Sequence, residues 1–106
     1  VTVYVDQERN NFRRMVMCHM FADTLAELHT MAGRIGMSRA WFQADASFPH
    51  YDLSLTRRGL ALKYGAQEIT RREGYDIRKR LRADPAFMAE WMESRQALNP
   101  HSGGGS

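Results

Sequence analysis

The hydrophobic pattern divides the chain into short strand-like and helix-like stretches that alternate. Thr2-Val3-Tyr4-Val5 is β-branched and aromatic and predicts a first strand, closed by Asp6. Residues 7–14 read as a polar loop, with Asn10-Asn11 at its centre and Arg9, Arg13 and Arg14 around it. Residues 15–22 form an apolar run broken only by Cys18 and His19, and at about eight residues it fits a buried strand. In extended form it places His19 on one face with Met17 and Phe21, and Cys18 on the other.

The next stretch predicts a helix. Thr24 is an N-cap with Glu27 three residues on, a capping-box pattern, and Gly36 supplies the left-handed residue at the far end. Leu25, Leu28, Ala32 and Ile35 recur at three- and four-residue steps and form one apolar stripe, with His29 at its margin. Residues 38–43 contain Trp41-Phe42 and read as a short strand or an aromatic loop, the two rings being assigned to the core. Residues 44–49 are small, polar and turn-like.

Pro49-His50-Tyr51-Asp52-Leu53 precedes a second helix start and is where the chemistry concentrates. Extended, it puts His50 and Asp52 on one face and Tyr51 on the other. Thr56 is the expected cap of the helix that follows, with Leu60, Ala61 and Tyr64 as its apolar face and Gly65 as its end. Residues 67–70 read as a further short strand. Residues 71–82 carry Tyr75, Ile77 and Leu81 among Arg71, Arg72, Arg78, Lys79, Arg80 and Arg82, so one face can pack while the other is basic. Asp84-Pro85 then starts a last helix, with Phe87, Met88, Trp91 and Met92 on its apolar side.

Alternation of strand and helix predicts an α/β fold: a single small domain over residues 1–101, with a small, mostly parallel or mixed sheet, flanking helices and a helical C-terminal extension over residues 71–99. Residues 102–106, a serine and glycine tail, read as an appended linker. A chain of 106 residues holds one modest core. No apolar run approaches the ~20 residues that cross a bilayer, so a soluble, cytoplasmic protein with no membrane partner is expected.

Cys18 is the only cysteine, which rules out an intrachain disulfide and a cysteine-based zinc knuckle. Any metal must use histidine and carboxylate. The formal net charge is +3, the sequence pI near 9.4, and the basic residues are almost all arginine, whose planar fork suits carboxylate and phosphate. An anionic partner fits this balance.

Tyr4-Val5-Asp6, Cys18-His19 with Asp23, Glu27-Leu28-His29, His50-Tyr51-Asp52 and Gly65-Ala66 together resemble the short bacterial and phage family known as domain of unknown function 4031. The resemblance covers roughly residues 2–73, and the blocks around His29 and His50 are its most specific parts. It implies no activity, but the polar residues singled out on chemical grounds coincide with its shared positions.

Three ligands plus an open water position make a catalytic metal site, and His50 and Asp52 with His19 or His29 supply that composition, with Asp6 or Asp23 as further candidates. Zinc or manganese is the expected ion. Each residue also has a plain alternative: Asp52 as a turn cap, His50 bonded to backbone, His19 and His29 satisfied in the core, Asp6 capping the following loop, Asp23 facing a helix dipole, Glu27 completing a cap, Cys18 a small buried hydrophobe. In a metal-free version a histidine is the general base, and Tyr51 or an arginine stabilises developing charge. Arg57 and Arg58, which open the second helix, are the expected anion clamp.

The expectation is therefore a small, metal-assisted hydrolase acting on a phosphate ester or related anionic small molecule, with His50, Asp52, Tyr51, Arg57 and Arg58 in the reaction and His19, His29, His50 and Asp52 on the metal. The alternative is a non-catalytic module that binds nucleic acid or a nucleotide through its arginine-rich surface. A homo-oligomer through the C-terminal helix is a third possibility.

Overall fold

A computed structural model describes residues 2–12 and 15–98. Arg13, Arg14 and the linker-like residues 102–106 lie outside the described residues. The elements in chain order are β1 (Val3–Val5), β2 (Asn10–Phe12), β3 (Met15–Ala22), α1 (Leu25–Arg34), a single 3-10 turn (Arg39–Trp41), β4 (Tyr51–Ser54), α2 (Leu55–Lys63), β5 (Gln67–Glu68), α3 (Arg71–Arg82) and α4 (Pro85–Leu98).

The α/β architecture is as expected, and of the two sheet types anticipated it is the mixed one. β3 is the central strand, and β1, β2 and β4 all run antiparallel to it; among the described residues the one parallel pair is β1 with β5. The reason lies in the short connections, because only two residues of sequence separate β2 from β3, a hairpin length, where a parallel pairing needs a long crossover. Met20 pairs with Val5 on one edge and Tyr51 on the other, while Met17 pairs with Asn10 and Ser54. β1 and β2 therefore lie end to end along one edge of β3, and β4 lines the opposite edge. The stretch read as a polar loop thus contains β2, a strand whose polar Asn-Asn sequence gives no alternating signal.

Register fixes the two faces. Val3, Val5, Cys18, Met20, Tyr51 and Leu53 share the inner face and are buried in the core. α1 packs there, reaching Tyr51 through His29, and α2 packs there through Ala61 and Arg58. Tyr4, Met17, His19, Phe21 and Asp52 share the outer face. α3 covers the Phe21 end of it, with the Arg78 guanidinium 5.6 Å from the Phe21 ring centre and Arg80 bonded to Asp23 and Tyr4. Burial of this many apolar side chains, at roughly 25 cal/mol per Å², is what holds the short strands in register.

The caps explain the helix boundaries. Thr24 accepts the Glu27 N–H, and its hydroxyl donates to the Glu27 carboxylate. Gly36 and Gly65 take the positive φ of +80° and +104° that end their helices, as the sequence predicts. The second helix is capped by Ser54, two residues before the expected Thr56, since Ser54 ends β4 with its hydroxyl already facing the Arg57 N–H. Thr70 and Glu73 make a full capping box on α3. Asp84 caps α4 through the Ala86 N–H. Phe87 and Trp91 of α4 are spent on the chain's own core, stacked around Phe48 with the Trp91 indole donating to the Ala44 carbonyl, and Met92 stays exposed. No helix among the described residues is long and apolar enough to cross a membrane.

A candidate metal centre on the outer face

The site begins with a defect in the ladder. Between the pairs Val5 with Met20 and Asn10 with Met17, the residues Asp6 to Arg9 stand opposite only Cys18 and His19, so the edge strand bulges. The Asp6 N–H still donates to the His19 carbonyl at 3.0 Å. The reciprocal bond is replaced: the His19 N–H donates to Asp6 Oδ1 at 2.9 Å, and the Asp6 carbonyl accepts instead from Arg58 Nε at 3.0 Å. Asp6 Oδ2 then meets His19 Nδ1 at 2.7 Å.

His19 and Asp52 are direct cross-strand partners, and His50 lies two residues before Asp52 on the same face. The His19 and His50 rings meet edge to face, 5.0 Å between centres. His50 Nε2 is 3.1 Å and His19 Nε2 3.7 Å from Asp52 Oδ1. The other nitrogen of His50, Nδ1, lies 2.8 Å from the Phe48 carbonyl, and the other oxygen of Asp52 accepts from the Gln43 amide. Ligating atoms of His19, His50 and Asp52 all fall within 4.8 Å of one another, as do those of Asp6, Glu8 and His19.

Proton placement follows from the partners. A carbonyl and a carboxylate only accept, so His50 Nδ1 and His19 Nδ1 carry the hydrogens that face them. In the neutral rings both Nε2 lone pairs are then aimed toward Asp52 Oδ1, which is itself an acceptor. Three acceptors converging on one point require a cation between them, a proton on one ring or a metal ion. The Asp6 hydrogen bond raises the His19 pKa; burial opposes it, and the charges of Asp6, Asp52 and Glu8 add to it. Burial would raise the Asp6 carboxyl, but the His19 ring and backbone bonds, its charge and the Glu8 N–H prevail and hold it low.

The hollow beside the rings, about 190 Å³, is walled by Arg78 and Arg82 with Phe48 and Glu8. Arg82 donates to the Ser47 carbonyl at 3.0 Å and lies over the Phe48 ring. A second hollow of about 450 Å³ adjoins it across Asp6, Glu8 and Arg78, and Arg9, Arg71 and Thr70 at the start of α3 complete it. Positive groups thus surround the acid and imidazole cluster.

The structure brings together His19, His50 and Asp52 of the expected set and leaves four others elsewhere. His29 is on the inner face, its Nδ1 2.8 Å from the Tyr51 hydroxyl and its ring 4.5 Å from that of Phe42; burial first, then the Arg39 charge, hold it down to about 4. Tyr51 is fully buried, its phenol raised by burial. Arg58 is 8 % exposed and lies under the sheet, where it ties the Asp6 carbonyl to Glu68. Arg57 donates to the Gly36 carbonyl and lies 5.4 Å over the Trp41 ring. Trp41 itself is half exposed, unlike the core position expected of it, because the 3-10 turn leaves Phe42 to pack inward on Tyr51. Cys18 is buried and pushed up to about 11 by desolvation, an inert thiol.

Asp6, Glu8, Gln43, Arg78 and Arg82 complete the centre. Asp6 carries a sequence signal, a carboxylate at the end of a strand, and Arg78 and Arg82 share one helix face at i, i+4 spacing. Glu8 and Gln43 carry none, since each arrives through the bulge or through the Gln43 with His50 bridge.

No curated protein and no solved structure matches the chain. A family model described as Protein of unknown function (DUF4031) matches residues 3–83, beyond the limit near residue 73 read from the motifs, so it takes in α3 with Arg78 and Arg82. Spanning β1 to α3 and every residue of the cluster, the match makes this chain a member of the DUF4031 family.

Proposed function

We propose that the protein is a small metal-assisted hydrolase acting on a phosphate ester or related anionic substrate. One observation carries this reading: the Nε2 atoms of two imidazoles converge on one carboxylate oxygen beside a hollow walled by arginines. His19, His50 and Asp52 would hold the ion. Asp6 orients His19, the Phe48 carbonyl orients His50, and Gln43 steadies Asp52, the outer partners that metal ligands need.

Two imidazoles and one carboxylate suit zinc or manganese. An ion held by these three residues would supply an activated water, of pKa about 7 for zinc, and would polarise a phosphoryl oxygen. Arg78 and Arg82, which line the hollow, would hold the remaining phosphoryl oxygens and offset charge developing on them. Arg57 and Arg58, expected for this role, instead donate to the Gly36 and Asp6 carbonyls.

The test is metal analysis of protein purified without chelator, with turnover on bis(p-nitrophenyl) phosphate and p-nitrophenyl phosphate. Bound zinc or manganese, chelator-sensitive hydrolysis and a loss of at least about 100-fold in His50→Ala are expected. Protein that binds no ion and shows no chelator-sensitive turnover would sink the reading. A non-catalytic, nucleic-acid-binding role is favoured by one separate observation, the exposed Arg71, Arg72 and Lys79 along α3. It predicts salt-sensitive binding indifferent to His50→Ala.

A further inference from the structure

The outer face of the sheet does not end at the histidines. Toward the start of β3 it opens into a groove of about 680 Å³, walled by Met15, Met17, Met37, Trp41, Phe42 and Arg57. Asp52, Gln43 and Ser54 also line it, so it is continuous with the ion-ligating cluster through Asp52. Its apolar lining is unusual for solvent: Trp41 is 50 % exposed and Met15 is 47 % exposed. In size it falls in the range of small-molecule sites, about 300–1,000 Å³.

The parts select a ligand. Trp41 offers an exposed indole with the Arg57 guanidinium 5.4 Å over it, and the methionines offer soft, adaptable surface to a flat ring. Gln43 and Ser54 offer hydrogen-bonding groups at the margin, and Arg57 adds a positive charge. Met17 and His19 are two residues apart on one face of β3, roughly 7 Å along the strand. That is about the span from a nucleotide's phosphate to its base.

We propose that this groove is a base-binding subsite, taking an unpaired nucleobase of a single-stranded oligonucleotide whose phosphate lies at His19, His50 and Asp52. The inference rests on the phosphate-ester reading above and narrows it to nucleotide substrates. Base stacking on an aromatic side chain tolerates any base, so selectivity for single strands over sequence is expected. A paired base cannot turn its face to Trp41, which sets duplexes aside.

Binding of a thymidine tetranucleotide and of an abasic tetranucleotide of equal charge, both with hydrolysis-resistant phosphorothioate linkages, to the zinc-loaded full chain, followed by intrinsic fluorescence and calorimetry, tests it. The base-bearing strand is expected to bind about 5- to 100-fold more tightly, Trp41→Ala to erase most of that difference, and Trp41→Phe to keep most of it. Equal binding of the two strands, or a preference untouched by Trp41→Ala, would overturn the subsite, as would a concentration-dependent dimer that shields Trp41 and shows no base preference. The readout is separate from turnover. If manganese-loaded protein cleaves neither bis(p-nitrophenyl) phosphate nor the tetranucleotide while the base preference stands, the hydrolase reading fails alone; cleavage without base preference overturns the subsite alone.

Discussion

Asp6 and His19 are joined across the bulge by two unlike bonds, the carboxylate taking the backbone N–H through Oδ1 at 2.9 Å and the ring Nδ1 through Oδ2 at 2.7 Å. Asparagine can supply only one of them. Its oxygen can still accept the N–H, but its amide hydrogens then face Nδ1 and drive the ring proton to Nε2. The lone pair is lost from the ion group while the fold survives. Asp6→Asn is therefore expected to cost about 1–3 kcal/mol of stability and at least about tenfold in metal affinity and turnover. Nitrogen chemical shifts of the His19 ring report the tautomer directly, and wild-type turnover with an unswitched tautomer would contradict the assignment.

Acid stability divides between two histidines of opposite sign. His29 is depressed to about 4 from an ordinary 6.5, so as pH falls from 6.5 toward 4 the unfolded chain takes up a proton that the folded one refuses, and stability falls. His19 is raised, so its contribution is complete below 6.5 and is lost as pH climbs through its folded value. Asp6 is lowered, so its contribution is present above 3.8 and is lost as pH drops through its folded value. His29→Gln keeps a hydrogen-bonding partner for Tyr51 but cannot titrate. It should flatten the fall in Tm between pH 6.5 and about 4 while leaving the alkaline side and any turnover unchanged. Thermal unfolding across that range decides it, and a wild-type acid slope would exclude His29 as the cause.

Arginines on the two faces of the sheet should fail in different ways. Arg58→Ala removes a buried, charge-assisted anchor of the Asp6 carbonyl and is expected to cost about 2–3 kcal/mol in denaturant unfolding. Arg78→Ala removes a wall of the hollow and should leave stability within about 1 kcal/mol, giving up mainly its contact with Phe21. Its signature is a raised KM for the anionic substrate, and Arg78→Lys should not fully rescue it because the planar fork is lost. The reverse pattern, an unstable Arg78→Ala and an unbinding but stable Arg58→Ala, would restore the second helix as the anion clamp.

Much of this arrangement is legible in the sequence alone. Period two correctly set His19 against Cys18 and His50 with Asp52 against Tyr51, because alternation in a strand is local geometry. Thr24, Gly36 and Gly65 marked helix ends for the same reason. What escaped depended on pairing at a distance. Nothing in Asn10-Asn11 marks a strand until β3 is beside it, and nothing in Arg58 shows that its guanidinium passes beneath the sheet to Asp6. His29 looked equivalent to His19 because both sit beside apolar stripes; only the identity of the partner, a buried phenol or a carboxylate, separates them.

The excess of residues at Asp6 to Arg9 also sets a simple length rule. Remove two residues from Gln7 to Arg9 and β1 could run straight into β2, with Asp6 and His19 exchanging both backbone bonds and the Asp6 carboxylate displaced from the His19 N–H. The sheet would persist, and Arg58 would lose the Asp6 carbonyl that the bulge leaves open to it. The spacing between two strands thus governs how Asp6 meets His19 and Arg58, with no side chain of the cluster altered.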